Sequence, residues 1–117
     1  MADKITLVVH FHVEESARQE FVAKMRDIFA NTVNEETFVE ASLVQDMRDP
    51  QSILNYEVWN DGPQSFMKKR MSKAYRAEFE KMIVDLKIDR TPAWYSTIAE
   101  EKDESLERTI TDAMEVM

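Results

Sequence analysis

The sequence NYEVWND, residues 55–61, has the alternation of a β-strand and one unusual face. Because side chains along a strand alternate between the two faces of the sheet, Asn55, Glu57 and Trp59 project to one side. A strand in a protein core normally has Val or Ile at such positions, since burying polar groups without partners costs free energy. This face is therefore either solvated, as is common in half-buried strands, or lines a pocket for a planar, polar molecule.

Four strands are predicted along the chain from the distribution of apolar residues and turn signals. They cover residues 5–13, 38–47, 52–59 and 93–99. The turn residues 48–51 should join the second and third strands as a hairpin. Residues 89–92, which include Pro92, are predicted to form a loop before the last strand.

Helical spacing of apolar residues predicts one helix between the first two strands and a helical region after the third. The first helix should begin near Ser16, with Ser16 and Gln19 as a capping box. The second region follows the turn at residues 61–63, with a short piece around Phe66 and then a longer helix capped by Ser72. The resulting order, β-α-β-β-α-β, predicts an α+β, ferredoxin-like fold with an antiparallel sheet.

A ferredoxin-like sheet carries its helices on one face, so its other face needs a separate cover. Both faces of the first and third strands contain apolar residues, and we therefore expect a homodimer that packs sheet to sheet as a dimeric α+β barrel. The chain divides into this domain, residues 1–100, and an acidic extension, residues 101–117. Helical spacing in the extension predicts a helix docked on its own domain or on the partner, with a disordered tail as the alternative.

The composition argues against several classes of function. A formal net charge of −8 argues against binding to nucleic acids or to anionic membrane surfaces. The absence of cysteine excludes disulfides, thiolate nucleophiles and cysteine-bound metals, and a single glycine, Gly62, excludes Gly-rich phosphate loops. We see no signal peptide and no apolar run long enough to span a membrane, and we expect a cytoplasmic protein.

Over residues 5–100 the chain resembles the antibiotic biosynthesis monooxygenase family of dimeric α+β-barrel proteins. The segments that carry the resemblance are residues 34–36, Asp49-Pro50, residues 56–61 and residues 71–79. Glu57, Trp59 and Asp61 form the strongest mark of the family. The resemblance implies oxygenation of a phenolic, quinol or polyketide-like small aromatic substrate by dioxygen, without a cofactor and in a homodimer.

The resemblance also implies catalytic roles for Asn55 and Trp59, because an Asn four residues before the Trp activates the phenolic substrate in a family member. Asn55 would donate its amide N–H to a phenolate or carbonyl oxygen, and Trp59 would stack on the ring and offer its indole N–H. In the alternative, Trp59 packs under a helix and Asn55 bonds to neighbouring backbone. Many relatives have a His in the following helix, which is missing here, so we expect His10 to accept the proton. His10 and His12 have a spacing that suits a metal, but with no third His we predict no metal site.

Glu57, Tyr75 and Phe79 are predicted to bind the substrate. Glu57 would be a general base if burial raises its pKa, but an ion pair with Lys69, Arg70 or Arg76 of the covering helices is the favoured expectation. Tyr75 would donate to a substrate oxygen, although its place in an apolar stripe with Phe79 favours a role in the core.

Three other functions fit the same fold. A non-catalytic, small-ligand-binding or stress-associated dimeric barrel would not need the polar face of the third strand. Haem binding would need an axial His within residues 66–86, where there is none. An isomerase would use the same donor and base as an oxygenase, because enolisation requires both.

Overall fold

The elements follow the predicted order in a computed structural model that describes residues 4–71 and 73–101. They are β1 (Ile5–His12), α1 (Glu15–Thr32), β2 (Phe38–Gln45), β3 (Ser52–Trp59), α2 (Pro63–Met71), α3 (Ala74–Asp85) and β4 (Asp89–Ser96). This is the ferredoxin-like α+β order with its second helical region divided into α2 and α3, and it confirms the predicted fold class. The predicted cap at Ser72 and the extension beyond Glu101 lie outside the described residues.

The four strands form one antiparallel sheet in the order β2-β3-β1-β4. The central strand, β1, places Val9 opposite Asn55 of β3 and opposite Pro92 of β4. Phe11, two residues further along the same face, is opposite Arg90. Directly opposite residues share one face of a sheet. The polar face of β3 is therefore continuous with one face of β1 and β4.

The helices cover this face of the sheet and form the core with it. The predicted stripe of α1 is buried, at Ala17, Phe21, Met25, Ile28 and Thr32. The buried residues of α3 are Phe79, Met82 and Ile83. The apolar face of β1 is buried as predicted, and Phe11 makes edge-on ring contacts with Phe21 and Phe79 at centroid distances of 5.0 and 6.1 Å.

The last strand begins four residues earlier than predicted. Residues 89–92 were expected to form a loop, but they pair with β1 from Asp89 opposite His12 onward. Pro92 is compatible with this pairing because β4 is an edge strand, where a residue without an N–H does not interrupt the sheet. The strand ends at Ser96, so Ile98, which is 98 % exposed, lies beyond it.

The capping box predicted at Ser16 and Gln19 is wrong. The helix α1 begins at Glu15 after Glu14 as the N-cap residue, and no side chain of the described residues caps it. Ser16 is already the second helical residue and is therefore too late in the chain to act as the cap.

The opposite side of the sheet, which we call the helix-free face, carries Thr6, Val8 and His10 of β1, Leu54 and Tyr56 of β3, and Val44 of β2. No helix of the described residues packs there. Val44 is 50 % exposed on it. None of the helices in the described part of the chain is both long and apolar enough to cross a membrane.

Candidate active site

The polar face of β3 is buried under the helices rather than solvated. Asn55, Glu57 and Trp59 are each only 2 % exposed. Their burial is balanced by hydrogen bonds that converge on the carboxylate of Glu57. It accepts one from Asn55 Nδ2 at 2.5 Å, one from Trp59 Nε1 at 2.8 Å and one from Arg70 Nη1 of α2 at 3.1 Å. The ion pair with Arg70 confirms the favoured expectation for Glu57.

These bonds change the roles expected for Trp59 and Glu57. An indole has a single N–H, and in Trp59 it donates to Glu57 instead of pointing at a substrate. The ring of Trp59 packs against Phe66 and Phe38, with centroids 4.7 and 5.5 Å away. Glu57 is occupied by three donors and does not line the cavity described next. Trp59 and Glu57 therefore support the cavity wall without lining the cavity.

A cavity of about 190 Å³ lies between the sheet and the helices, and Asn55 is part of its wall. Because a carboxylate only accepts hydrogen bonds, the amide nitrogen of Asn55 must be the atom that faces Glu57. Its carbonyl oxygen, Oδ1, is buried and has no hydrogen-bond partner among the described residues. The group of Asn55 that is left without a partner is thus an acceptor, whereas the sequence led us to expect a donor.

The rest of the cavity wall is apolar and aromatic, apart from three arginines. Its lining from β1, α1 and α2 includes Leu7, Val9, Phe11, Met25, Ile28, Met67 and Arg70. Its lining from α3 and β4 includes Tyr75, Arg76, Phe79, Arg90, Pro92 and Trp94. Phe79 is therefore placed both in the core and on the cavity wall, where a flat ring could pack against it.

Tyr75 lies at the boundary between this cavity and a second one, on the side of α1 and α2. Its hydroxyl donates to Glu35 Oε2 at 2.9 Å, and Lys73 Nζ lies 3.1 Å from Glu35 Oε1. Burial, and secondarily the hydrogen bond to Glu35, raises the pKa of Tyr75 to about 12. At neutral pH Tyr75 is therefore a protonated phenol that cannot act as a base.

His10 is not part of this site. The cavity is lined by Leu7, Val9 and Phe11 of β1, whose side chains point to the helices. His10 is exposed on the helix-free face, where its Nε2 lies 2.5 Å from Ser52 Oγ. The expectation that His10 accepts the substrate proton in the Asn55 cavity is therefore corrected. Among the described residues, no three His, Asp or Glu side chains are grouped so that they could hold a metal ion.

Arg76 and Arg90 are site residues that the sequence did not indicate. Arg90 fell in a predicted loop, and only the pairing of β4 with β1 brings it to the cavity. Arg76 was considered solely as a partner for Glu57, but its carboxylate neighbour is Glu80, with Nη2 and Oε1 2.8 Å apart. The available signal was its spacing: Arg76 is three residues before Phe79 on α3, which places both on one face of the helix.

Comparison with known sequences identifies the family. The sequence model described as antibiotic biosynthesis monooxygenase matches residues 4–81, which include the whole of β3 with Asn55, Glu57 and Trp59. The chain belongs to the antibiotic biosynthesis monooxygenase family. No curated protein sequence matches it significantly.

Several solved structures share the fold of this chain. SnoaB, a cofactor-independent oxygenase from Streptomyces nogalater, superposes with a TM-score of 0.73 at 20 % identity, covering 87 % of this chain and 100 % of SnoaB. A conserved protein from Methanosarcina mazei gives 0.71 at 18 %, covering 80 % and 92 % of the two chains. A conserved protein of unknown function from Bacteroides thetaiotaomicron gives 0.73 at 15 %, covering 83 % and 100 %. At these identities the similarities establish the monooxygenase family's fold alone.

Proposed function

We propose that this antibiotic biosynthesis monooxygenase family member is a cofactor-independent oxygenase of a phenolic, quinol or polyketide-like aromatic compound. The observation that carries the proposal concerns Asn55, which lines an aromatic cavity and whose buried Oδ1 has no hydrogen-bond partner among the described residues. A buried acceptor of this kind costs free energy unless a ligand donates to it, and a phenolic hydroxyl is such a donor. The fold shared with SnoaB, a cofactor-independent oxygenase, supports the same reaction class.

The size of the cavity favours a substrate with one or two rings in contact with Asn55. Its volume is about 190 Å³. An apolar protein cavity of about 150 Å³ holds one benzene molecule. A larger polyketide would therefore extend from the cavity toward solvent while one end of it contacts Asn55.

The chemistry needs an electron-rich anion, because ground-state dioxygen reacts slowly with closed-shell molecules. Asn55 Oδ1 would orient the neutral substrate hydroxyl as it binds, and the guanidinium groups of Arg70, Arg76 and Arg90 would then favour its ionised form. The anion passes one electron to dioxygen, the resulting radical pair joins as a peroxide, and the peroxide loses water. The balance is SubH2 + O2 → SubO + H2O, so the substrate supplies both electrons and both hydrogens of the water.

A second candidate function is binding of the same compounds without turnover. The observation that favours it is that the cavity-lining residues within the described chain include no carboxylate and no imidazole that could remove a proton.

If the protein is an oxygenase, the substrate proton therefore passes to water at the mouth of the cavity.

We further propose that two copies pair through their helix-free faces. This face carries the half-exposed Val44 beside the half-buried Leu54 and Tyr56. A second copy is the simplest cover for a sheet whose three described helices lie on the other side.

Oxygen consumption tests the proposed reaction. The full chain is mixed with hydroquinones and anthrone under air, without added metal, flavin or haem, and the uptake of dioxygen above the uncatalysed rate is measured. We expect uptake by the natural protein and a loss of about tenfold or more in Asn55→Ala, the value of one hydrogen bond to the reacting substrate. Asn60→Ala, an exposed Asn at the end of the same strand, is the matched control and should keep the full rate.

The two candidate functions give different results in this experiment. Binding of the hydroquinones without uptake would support the ligand-binding protein and refute the oxygenase. Equal uptake by the natural protein and Asn55→Ala, with both folded by circular dichroism, would remove Asn55 from the mechanism.

A further inference from the structure

The charged side chains that line the Asn55 cavity within the described residues are three arginines. Arg70 comes from α2, Arg76 from α3 and Arg90 from β4. Their carboxylate partners, Glu57 and Glu80, do not line the cavity. The surface presented to a ligand is therefore cationic, in a chain whose formal net charge is −8.

The positive charges of this cluster exceed the negative charges that neutralise it. Glu80 forms ion pairs with two arginines. Arg90 donates to its two oxygens at 2.9 and 2.6 Å, and Arg76 Nη2 lies 2.8 Å from its Oε1. Glu57 forms an ion pair with Arg70. Within the described part of the chain, three guanidinium groups thus share two carboxylates, which leaves an excess of one positive charge beside an apolar cavity.

The arginines also stand close enough to repel one another. The pKa of Arg76 is lowered first by burial and next by the charge of Arg70, and Arg90 lowers it further. The carboxylates of Glu80 and Glu57 offset only part of this lowering. A guanidinium stays protonated in spite of such a shift. The folded protein therefore holds a like-charge cluster at a free-energy cost that a bound anion would relieve.

Ring contacts hold the guanidinium groups in place before any ligand arrives. Those of Arg76 and Arg90 lie 5.7 and 5.8 Å from the centroid of the Phe79 ring, and that of Arg70 lies 5.4 Å from the Phe66 ring. Such cation–π contacts restrict long side chains. Planar guanidinium groups fixed in this way match a carboxylate, which accepts two parallel hydrogen bonds from one Arg.

We infer that the substrate is an aromatic hydroxy acid, whose ionised carboxylate binds the cluster of Arg70, Arg76 and Arg90 while its hydroxyl donates to Asn55 Oδ1. The inference deepens the proposed function and rests on it for the aromatic, hydroxylated nature of the ligand. A ring with both substituents is close to the size that the cavity accommodates. Arg76 is the residue to test, because Glu80 keeps Arg90 as a partner when Arg76 is replaced, whereas loss of Arg70 leaves Glu57 buried without its cation.

Binding of two ligands of the same shape tests the inference without any turnover. para-Hydroxybenzoate and para-hydroxybenzamide are titrated into the full chain by calorimetry at neutral pH and low salt. We expect the acid to bind about tenfold or more tightly than the neutral amide, as one charge-assisted hydrogen-bond pair would give. In Arg76→Gln this preference should fall to about threefold or less, and added salt should reduce it in the natural protein. Arg26→Gln, which removes one positive charge from an exposed site on α1, should keep it.

Equal affinity for the acid and the amide, or an equal loss of preference in Arg26→Gln, would overturn the inference. Its failure can be told apart from a failure of the proposed function by measuring oxygen uptake with hydroquinone and with gentisate, its carboxylated counterpart. A preference for the acid without any uptake refutes the oxygenase but leaves the anion site in place. Uptake that does not distinguish the two quinols refutes the anion site but leaves the oxygenase.

Discussion

Asn55 Nδ2 donates to Glu57 Oε2 across 2.5 Å, two residues further along the same face of β3. This bond determines the polarity of the site, because it turns the amide nitrogen away from any ligand and leaves the carbonyl oxygen as the free group. The same carboxylate fixes the indole of Trp59 and the guanidinium of Arg70. Glu57 thus fixes its neighbours without lining the cavity, and in the proposed site the groups left to contact a ligand are Asn55 and the arginines.

The first prediction concerns the stability that depends on Glu57. Glu57→Gln removes a buried charge from beside Arg70 and converts one oxygen that accepts hydrogen bonds into a donor. We expect a loss of about 2–4 kcal/mol in the free energy of unfolding, toward the lower end of the range for a broken buried ion pair because Arg70 is only partly buried. Urea unfolding followed by circular dichroism measures it.

The exposed Glu20 of α1 provides the matched control for this substitution. Glu20→Gln should change the unfolding free energy by less than about 0.5 kcal/mol. Adding Arg70→Met to Glu57→Gln should recover part of the loss, because the uncompensated cation is then gone. If Glu57→Gln and Glu20→Gln unfold at the same urea concentration, the converging hydrogen bonds do not stabilise the fold.

The second prediction concerns Tyr75 at alkaline pH. The pKa of Tyr75 is raised from 10.0 to about 12 in the folded chain, by burial and by its bond to Glu35. A phenol that binds its proton more tightly when folded stabilises the protein below pH 10, and this contribution is lost as the pH rises from about 10 to about 12. Tyr75→Phe should therefore be less stable than the natural protein at pH 8, and the difference should shrink as the pH approaches 11.

Guanidinium unfolding of both proteins at several pH values measures this difference. Tyr95→Phe is the control for removal of a phenol hydroxyl, because Tyr95 is 55 % exposed on β4, and it should change the unfolding free energy by less than about 0.5 kcal/mol at pH 8. Tyr75→Phe should also keep its oxygen uptake within about twofold at pH 7, since a protonated phenol cannot be the base. A large loss of uptake at pH 7 with unchanged stability would assign Tyr75 to the reaction instead.

The sequence was sufficient to predict β3 and to place Asn55, Glu57 and Trp59 on one face of it, because the two-residue period of a strand is a local property. The direction of the Asn55 amide was not available from it, since it depends on where Glu57 and Arg70 of α2 meet. The place of Arg90 in the site could not be predicted, because Pro92 indicates a loop unless β4 is known to be an edge strand. The exclusion of His10 was not available either. Alternation places His10 opposite the apolar face of β1, but only the register that pairs Val9 with Asn55 shows that the polar face of β3 is continuous with that apolar face.

The third prediction concerns the helix-free face and the proposed homodimer. Val44 of β2 is 50 % exposed there and lies opposite Leu54 of β3. If a second copy covers this face, Val44→Asp buries a charge without a partner, and association should weaken by about 100-fold or more. Sedimentation velocity over a range of protein concentrations measures the shift from dimer to monomer.

The same substitution on the other side of the molecule is the control. Val84 is 72 % exposed on α3, which packs on the opposite face of the sheet, so Val84→Asp should leave association unchanged. The natural protein should sediment as a dimer at micromolar concentration, because the helix-free face otherwise leaves Val44, Leu54 and Tyr56 in contact with water. A monomeric natural protein, or a dimer that Val44→Asp does not weaken, would mean that this face is not the contact between copies. The oxygenase proposal would survive that result, since every group assigned to the Asn55 cavity comes from one chain.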